Sequence, residues 1–285
     1  MADPYQIDGP ALISFSGGRS SAYMLWHIVQ AHGGTLPDDI KVCFANTGKE
    51  MPQTLDFVRD CGERWDVEVV WLEFQPGVAQ QRWRRVDYAT ASRAGEPFEA
   101  MIDQKKLLPG PTARFCTIDL KVRPMKLYAQ QALGWKYWTN VIGMRADEQR
   151  RVAKARERGA HGPEPWDNDM PLAEAGVTKQ DVNAFWRGQN FDLALPSINN
   201  KTPHGNCDLC FLKSAATLSA IMRDMPERAT WWIAQEERMK AIAYGNGRRF
   251  RNDRPAYAQM FEAVQNQEPF DFGNIDELND CLCGA

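Results

Sequence analysis

Ile13-Ser14-Phe15-Ser16-Gly17-Gly18-Arg19-Ser20-Ser21-Ala22-Tyr23-Met24-Leu25 reads as a buried strand, a Ser-Gly-Gly turn and the opening of a helix. Glycines let a backbone approach an oxyanion closely, and a helix start offers unpaired N–H groups at the positive end of its dipole. Ser16, Ser20 and Ser21 add hydroxyl donors, so the stretch has the design of a phosphate site. It is not the Walker pattern, because no Lys follows the turn. Outward from it, residues 20–32 carry a helical apolar face of Leu25, Ile28 and Val29 that Gly33-Gly34 ends. Lys41–Thr47 reads as a second strand running into a polar turn, Pro52–Trp65 as a helix and Val67–Phe74 as a third strand. Strands alternating with helices predict an α/β fold built on a parallel, twisted sheet flanked by helices.

Composition supports a globular chain. Of 285 residues, 44% are hydrophobic and 25% charged, enough for one large domain or two smaller ones. A net charge of −3 gives no global nucleic-acid signal, so an anion site has to be local. No run of 18 apolar residues predicts a membrane span, and Met1-Ala2-Asp3-Pro4 lacks a secretory pattern. A cytoplasmic location, with reduced thiols, is therefore expected.

The stretch from about 75 to 117 is rich in Arg, Lys, Gly and Pro without a clean period, and reads as a basic lid with a short helix near Phe98–Gln104. Its Arg82-Trp83-Arg84-Arg85 run, with Arg93, Lys105, Lys106, Arg114 and Tyr88, is where a nucleic-acid acceptor would be gripped. A charged loop closing over nucleotide phosphates is the other reading. Arg123–Leu133 reads as a helix and Tyr137–Gly143 as a strand ending in a charged turn. Residues 1–150 are thus expected to form a nucleotide-binding core, and 151–285 a mainly helical extension with helices at 178–187, 214–223, 226–243 and 255–265.

Seven cysteines in a reducing compartment point to metal or chemistry rather than to disulfides. Cys43 and Cys61 fall on apolar positions and read as core. Cys207-Asp208-Leu209-Cys210 is a C-x-x-C that can hold a metal or a cluster, a zinc ion or a redox dithiol being the alternatives. With Cys116 and one of Cys281 and Cys283 it makes four thiolates, the number for a [4Fe–4S] cluster. We take Cys283 as the ligand and Cys281 as the nucleophile, with the reverse open.

The Ser-Gly-Gly segment resembles the PP-loop, S-G-G-x-[DS]-S, of the adenine-nucleotide α-hydrolase superfamily. Phe44-Ala45-Asn46-Thr47-Gly48-Lys49-Glu50, Gly143-Met144-Arg145-Ala146-Asp147-Glu148-Gln149-Arg150-Arg151, the C-T-x-x-x-K-x-x-P pattern from Cys116 to Pro124, and the Gly205–Cys210 loop follow in order. Together they resemble the phosphoadenosine phosphosulfate reductase family over roughly residues 10–235. The departures favour its iron–sulfur sulfurtransferase branch, of which the Dnd-type ATP pyrophosphatases are an example. A single Cys116 stands where reductases have adjacent cysteines, and the tail only loosely matches the reductase E-C-G-L-H end.

The resemblance implies a Rossmann-like fold of the adenine-nucleotide α-hydrolase type. It implies binding of ATP or another adenine nucleotide through Ser14, Ser16, Gly17, Gly18, Arg19, Ser20 and Ser21. Asn46, Thr47, Gly48 and Glu50 would sit beside the adenosine, and Gly143, Arg145, Arg150 and Arg151 at the phosphates. Arg145, Lys121 and Cys281 are the candidate catalytic residues, and Mg²⁺ is expected with ATP. The implied activity is ATP-dependent sulfur transfer, with a sulfur donor as partner. The alternatives are a sulfonucleotide reductase served by a thioredoxin-like reductant, and a non-catalytic, cluster-dependent regulator. Homo-oligomerisation is left open.

Overall fold

The computed structural model describes residues 3–77, 81–196, 202–242 and 245–266. Its centre is a six-stranded sheet of order β4-β3-β2-β1-β5-β6. The strands are β1 (Ala11–Ser14), β2 (Ile40–Asn46), β3 (Val69–Phe74), β4 (Trp83–Val86), β5 (Trp138–Ile142) and β6 (Trp166–Asp169). All neighbours pair in parallel except β4, which runs antiparallel along β3. The protein is thus an α/β fold, a mostly parallel sheet with helices about it.

Parallel strands covered on both faces read as continuous apolar runs, with alternate residues serving opposite faces. Ile13, Val42, Phe44, Trp71 and Val141 face one core, completed by α1 (Arg19–Ala31), α2 (Pro52–Arg64) and α8 (Lys179–Arg187). Leu12, Cys43, Val70 and Leu72 face the other, under α5 (Arg123–Gln131). Cys43 and Cys61 are fully buried, and burial pushes both thiols well above their ordinary range. They are core residues, as the sequence indicates.

Two boundaries differ from the sequence expectation. The stretch 75–117 is not only a lid: Trp83–Val86 is the sheet's antiparallel edge, and α3 (Glu96–Lys105) packs into a second core. The sheet also extends past residue 150, because β6 pairs with β5 after α6 (Gln149–His161). A four-residue strand in which three residues, Asp167, Asn168 and Asp169, are polar leaves little periodicity to read. Beyond β6 the described elements are helical: the short α7 (Pro171–Glu174), α8, α9 (Ala215–Asp224), α10 (Ala229–Ile242) and α11 (Tyr257–Gln265). The last three, with Trp232 and Phe250, build the second core around Leu209 and Phe211. No described helix is long and apolar enough to cross a membrane.

Asp169, at the end of β6, is half-buried near Glu174, and burial followed by that charge raises its pKa from 3.8 to about 6. The folded state then keeps a proton that the unfolded chain has released between about pH 4 and 6, so this contribution to stability falls as pH rises through that window. Asp169→Asn is expected to be more stable than wild type at pH 7 and equal to it near pH 4. Urea midpoints at the two values test this, and parallel profiles would rule it out.

Candidate functional site

The chain leaves β1 through β2 and β3 on one side, then returns to β5 on the other. The connections after β1 and β5 therefore diverge, and a crevice opens between them at the carboxyl ends of the strands. A cleft of about 300 Å³ lies there, lined by the Ser14–Ser21 stretch, Ile142, Gly143 and Arg145.

Two glycines shape it. Gly17 has φ +72°, and a Cβ there would stand 2.8 Å from Thr54 Cγ2 and 2.9 Å from Val58 Cγ2, so the turn lies hard against α2. At Gly143 a Cβ would meet Ser21 Cα at 3.1 Å, which lets β5 end directly against the first turn of α1. Gly18 caps α1 without a side-chain hydrogen bond, and the first turn carries no acid. The positive end of the helix dipole thus meets the cleft without a local carboxylate. The Ser21 hydroxyl donates to the Gly18 carbonyl at 2.9 Å and lies 2.9 Å from Ser16 Oγ, which fixes the turn internally.

Arg145, Arg151 and Lys121 line the cleft with Lys179, as does Arg19. The Arg145 Nη1 donates to Ser20 Oγ at 3.0 Å, and its Nε to Asp147 Oδ1 at 2.9 Å. Glu148 is the one carboxylate among the described lining residues. It accepts the Arg145 backbone N–H at 3.0 Å and pairs with Arg151. The charge balance of the lining is therefore cationic, suited to a multiply charged anion. The Arg19 guanidinium is engaged: it makes a bidentate pair with Asp192, at 2.7 and 2.5 Å, and its Nη2 also donates to the carbonyl of Leu193, another lining residue, at 3.3 Å. Arg150 is exposed and stands outside the lining.

Asn46, Thr47, Gly48 and Glu50 are buried and not part of the lining. Asn46 donates to Glu73 Oε1 at 2.6 Å and to the Ser92 carbonyl at 2.9 Å. Glu50 accepts the Thr47 N–H at 2.9 Å and its hydroxyl at 2.8 Å. This turn instead buckles onto the C-x-x-C loop. Glu50 and Cys207 form an antiparallel bridge, the Asp208 N–H donates to the Lys49 carbonyl at 2.7 Å, and Thr47 Oγ1 lies 3.5 Å from Cys207 Sγ. Lys49 Nζ and Asp208 Oδ2 pair at 3.1 Å, both buried.

Lys121 connects the two regions. It sits on a π-helical segment, Ile118–Val122, that follows the short α4 (Phe115–Thr117), and its Nζ is 3.9 Å from Glu50 Oε1 while it lines the cleft. Gly205 and Asn206, directly before Cys207, line the same cleft from the opposite chain segment.

Cys207 and Cys210 are buried, and Cys116 packs on the same apolar cluster, so segments about 90 residues apart converge. Among the described residues no three His, Cys, Asp or Glu side chains are grouped to hold a single metal ion. Cys281 and Cys283 lie outside the described residues.

The basic run is differently employed from its sequence reading. Trp83 is buried and donates to Gln131 Oε1 at 2.8 Å, Arg84 pairs with the buried Glu73, and Arg85 pairs with Glu68. The Tyr88 ring is covered by the Arg59 and Arg93 guanidiniums, at 4.4 and 5.0 Å. These rings are not open stacking platforms. Sequence reasoning missed Lys179, Val182 and Asn183, which α8 presents to the cleft. Their i, i+3, i+4 spacing marks a helix face but not what it faces.

No family model matches the sequence. It is 33% identical over 220 residues to a protein of Escherichia phage lambda, the uncharacterized nin region protein ORF290, an alignment covering 75% of this chain and 69% of that one. That extent of similarity shows that the chain belongs to the family of the phage lambda nin region protein ORF290.

Proposed function

We propose that the chain is a PP-loop enzyme of the adenine-nucleotide α-hydrolase type, binding ATP or a related adenine nucleotide in the β1–β5 cleft. One observation carries this reading: a single cleft has the Ser-Gly-Gly turn and Arg145 on one wall and Gly205-Asn206, the approach to Cys207, on another. Backbone N–H groups of the turn, with Arg145, Arg151 and Lys121, would hold the phosphates and stabilise charge as the α–β bond of ATP breaks. Because the one lining carboxylate among the described residues is engaged by arginines, Mg²⁺ would be held chiefly by phosphate oxygens.

The cysteines fit an iron–sulfur centre in donor chemistry: soft sulfur ligands drawn from separate segments onto one apolar cluster, Cys207 and Cys210 buried and Cys116 partly so. Cys116, Cys207, Cys210 and a tail cysteine would hold a [4Fe–4S] cluster, which supplies sulfur or electrons when bound. Activity of the sulfur-transfer type follows, with ATP activating an acceptor oxygen and a sulfur nucleophile displacing AMP.

Anaerobically purified protein given ATP and Mg²⁺ is expected to release pyrophosphate and AMP, water standing in for the acceptor oxygen that attacks the α-phosphorus. Its iron, about four per chain, should be lost on Cys→Ser changes at 116, 207 and 210. Sulfite release from phosphoadenosine phosphosulfate, without pyrophosphate from ATP, would replace this reading by a sulfonucleotide reductase. Binding without either product would identify a regulator.

A further inference from the structure

Arg19, the first residue of α1, is fastened to a segment 173 positions further along the chain. Its Nε donates to Asp192 Oδ1 at 2.7 Å, and its Nη2 to Asp192 Oδ2 at 2.5 Å and to the Leu193 carbonyl at 3.3 Å. A guanidinium carries five N–H donors, one on Nε and two on each Nη. These three bonds occupy Nε and both donors of Nη2. The two donors of Nη1 take no hydrogen bond among the described residues. An anion on Nη1 therefore has a place with Asp192 still bound.

The segment that carries Asp192 is anchored on both sides of it. Phe191 packs against the rings of Phe57, Trp65 and Trp186, at 6.0, 5.8 and 5.6 Å, and the Arg64 guanidinium covers it at 4.6 Å. Leu193 and Leu195 are buried in the same core. Trp186 Nε1 donates to the Arg19 carbonyl at 3.0 Å, so the backbone of Arg19 is held as well as its side chain. Arg19 and Leu193 line the cleft, whereas Asp192 does not. The carboxylate thus stays outside the anion site while it fixes a cation of its lining.

We propose that Asp192 is a positioning residue of the phosphate site: it orients Arg19 so that the Nη1 edge serves a phosphate group bound at the Ser16–Ser21 turn. The inference rests on the reading of the β1–β5 cleft as a phosphate site. An arginine fixed in advance loses no rotamer freedom when an anion arrives, and binding is the stronger for it. Charge alone gives the opposite sign, since removing a nearby carboxylate strengthens the attraction for an anion. The direction of the effect separates the two.

The full chain is titrated with inorganic pyrophosphate at fixed low ionic strength, as wild type, Arg19→Ala, Asp192→Asn, Asp192→Glu, Arg145→Ala and the double variant Arg19→Ala/Asp192→Asn. Arg19→Ala is expected to weaken binding about tenfold, the scale of one charge-assisted hydrogen bond. Asp192→Asn should weaken it about fivefold, although it removes a negative charge. Asp192→Glu, which keeps the carboxylate, should stay within about threefold of wild type. The double variant should bind as Arg19→Ala alone does, because Asp192 acts through Arg19. The Asp192 side chain is 37% exposed, so these variants keep their fold, which thermal unfolding checks. Asp192→Ser repeats the measurement if Asn is poorly tolerated. Unchanged or tighter binding in Asp192→Asn overturns the proposal, as does a double variant weakened by the product of the two single effects. Either result leaves the cleft reading standing when Arg145→Ala still weakens binding. A wild type that does not bind pyrophosphate overturns both.

Discussion

Arg145→Ala is expected to weaken ATP binding about 100-fold, roughly 2.8 kcal/mol, while leaving the chain folded. Arg145 enters the cleft directly after β5 and holds Ser20 Oγ at 3.0 Å, so it stands between the two loops that diverge from the sheet. A guanidinium that makes charge-assisted bonds to phosphate accounts for about 1.5–3 kcal/mol per bond. Its ion pairs with Asp147 and Glu148 lie at the cleft rather than in the core, so their loss costs little stability. Equilibrium binding of ATP, with thermal unfolding as the control for folding, measures both. Affinity within threefold of wild type would remove Arg145 from the phosphate site. Arg150→Ala serves as the comparison: that side chain is exposed and outside the lining, so its affinity should not change.

Asp208→Ala is expected to cost roughly 3–5 kcal/mol of stability, the scale of removing one partner from a buried ion pair. Asp208 is fully buried. Its Oδ1 accepts the Trp232 indole N–H and the Leu209 N–H, each at 2.8 Å, and its Oδ2 faces Lys49 Nζ. Without the carboxylate, Lys49 is left 5% exposed with the Trp231 ring 5.0 Å from its charge. The loss reaches function because this pair fastens the Asn46–Glu50 turn to the loop of Cys207 and Cys210. Adding Lys49→Met to Asp208→Asn should recover part of the loss, since no lone charge is then buried. Urea unfolding of the two variants decides the matter, and a cost below about 1 kcal/mol for Asp208→Ala would mean that the pair does not hold the loop.

These two sites differ in how far the sequence revealed them. Arg145 was legible because a Gly-x-Arg follows a run with strand periodicity, and a strand end is where such sheets bind ligands. Lys49 and Asp208 are 159 positions apart, and nothing in the local pattern of either says that they meet. The phosphate-facing pattern suggested Arg19, whose guanidinium the distant Asp192 engages. The turn expected beside the adenosine holds Asn46 and Glu50, which the fold buries and uses to brace the cysteine loop.

By itself the sequence determined the α/β class and the strand–turn–helix at 13–25. It also determined the core role of Cys43 and Cys61, because apolar periodicity, glycine placement and helix starts are encoded within a few residues. Only the tertiary structure decided the strand order that opens the crevice between β1 and β5. It alone turned the basic stretch at 82–85 into a sheet edge and brought α8 and Gly205-Asn206 to the cleft. These follow from packing between segments far apart in the chain, where the burial of apolar faces and the pairing of buried charge choose the partners.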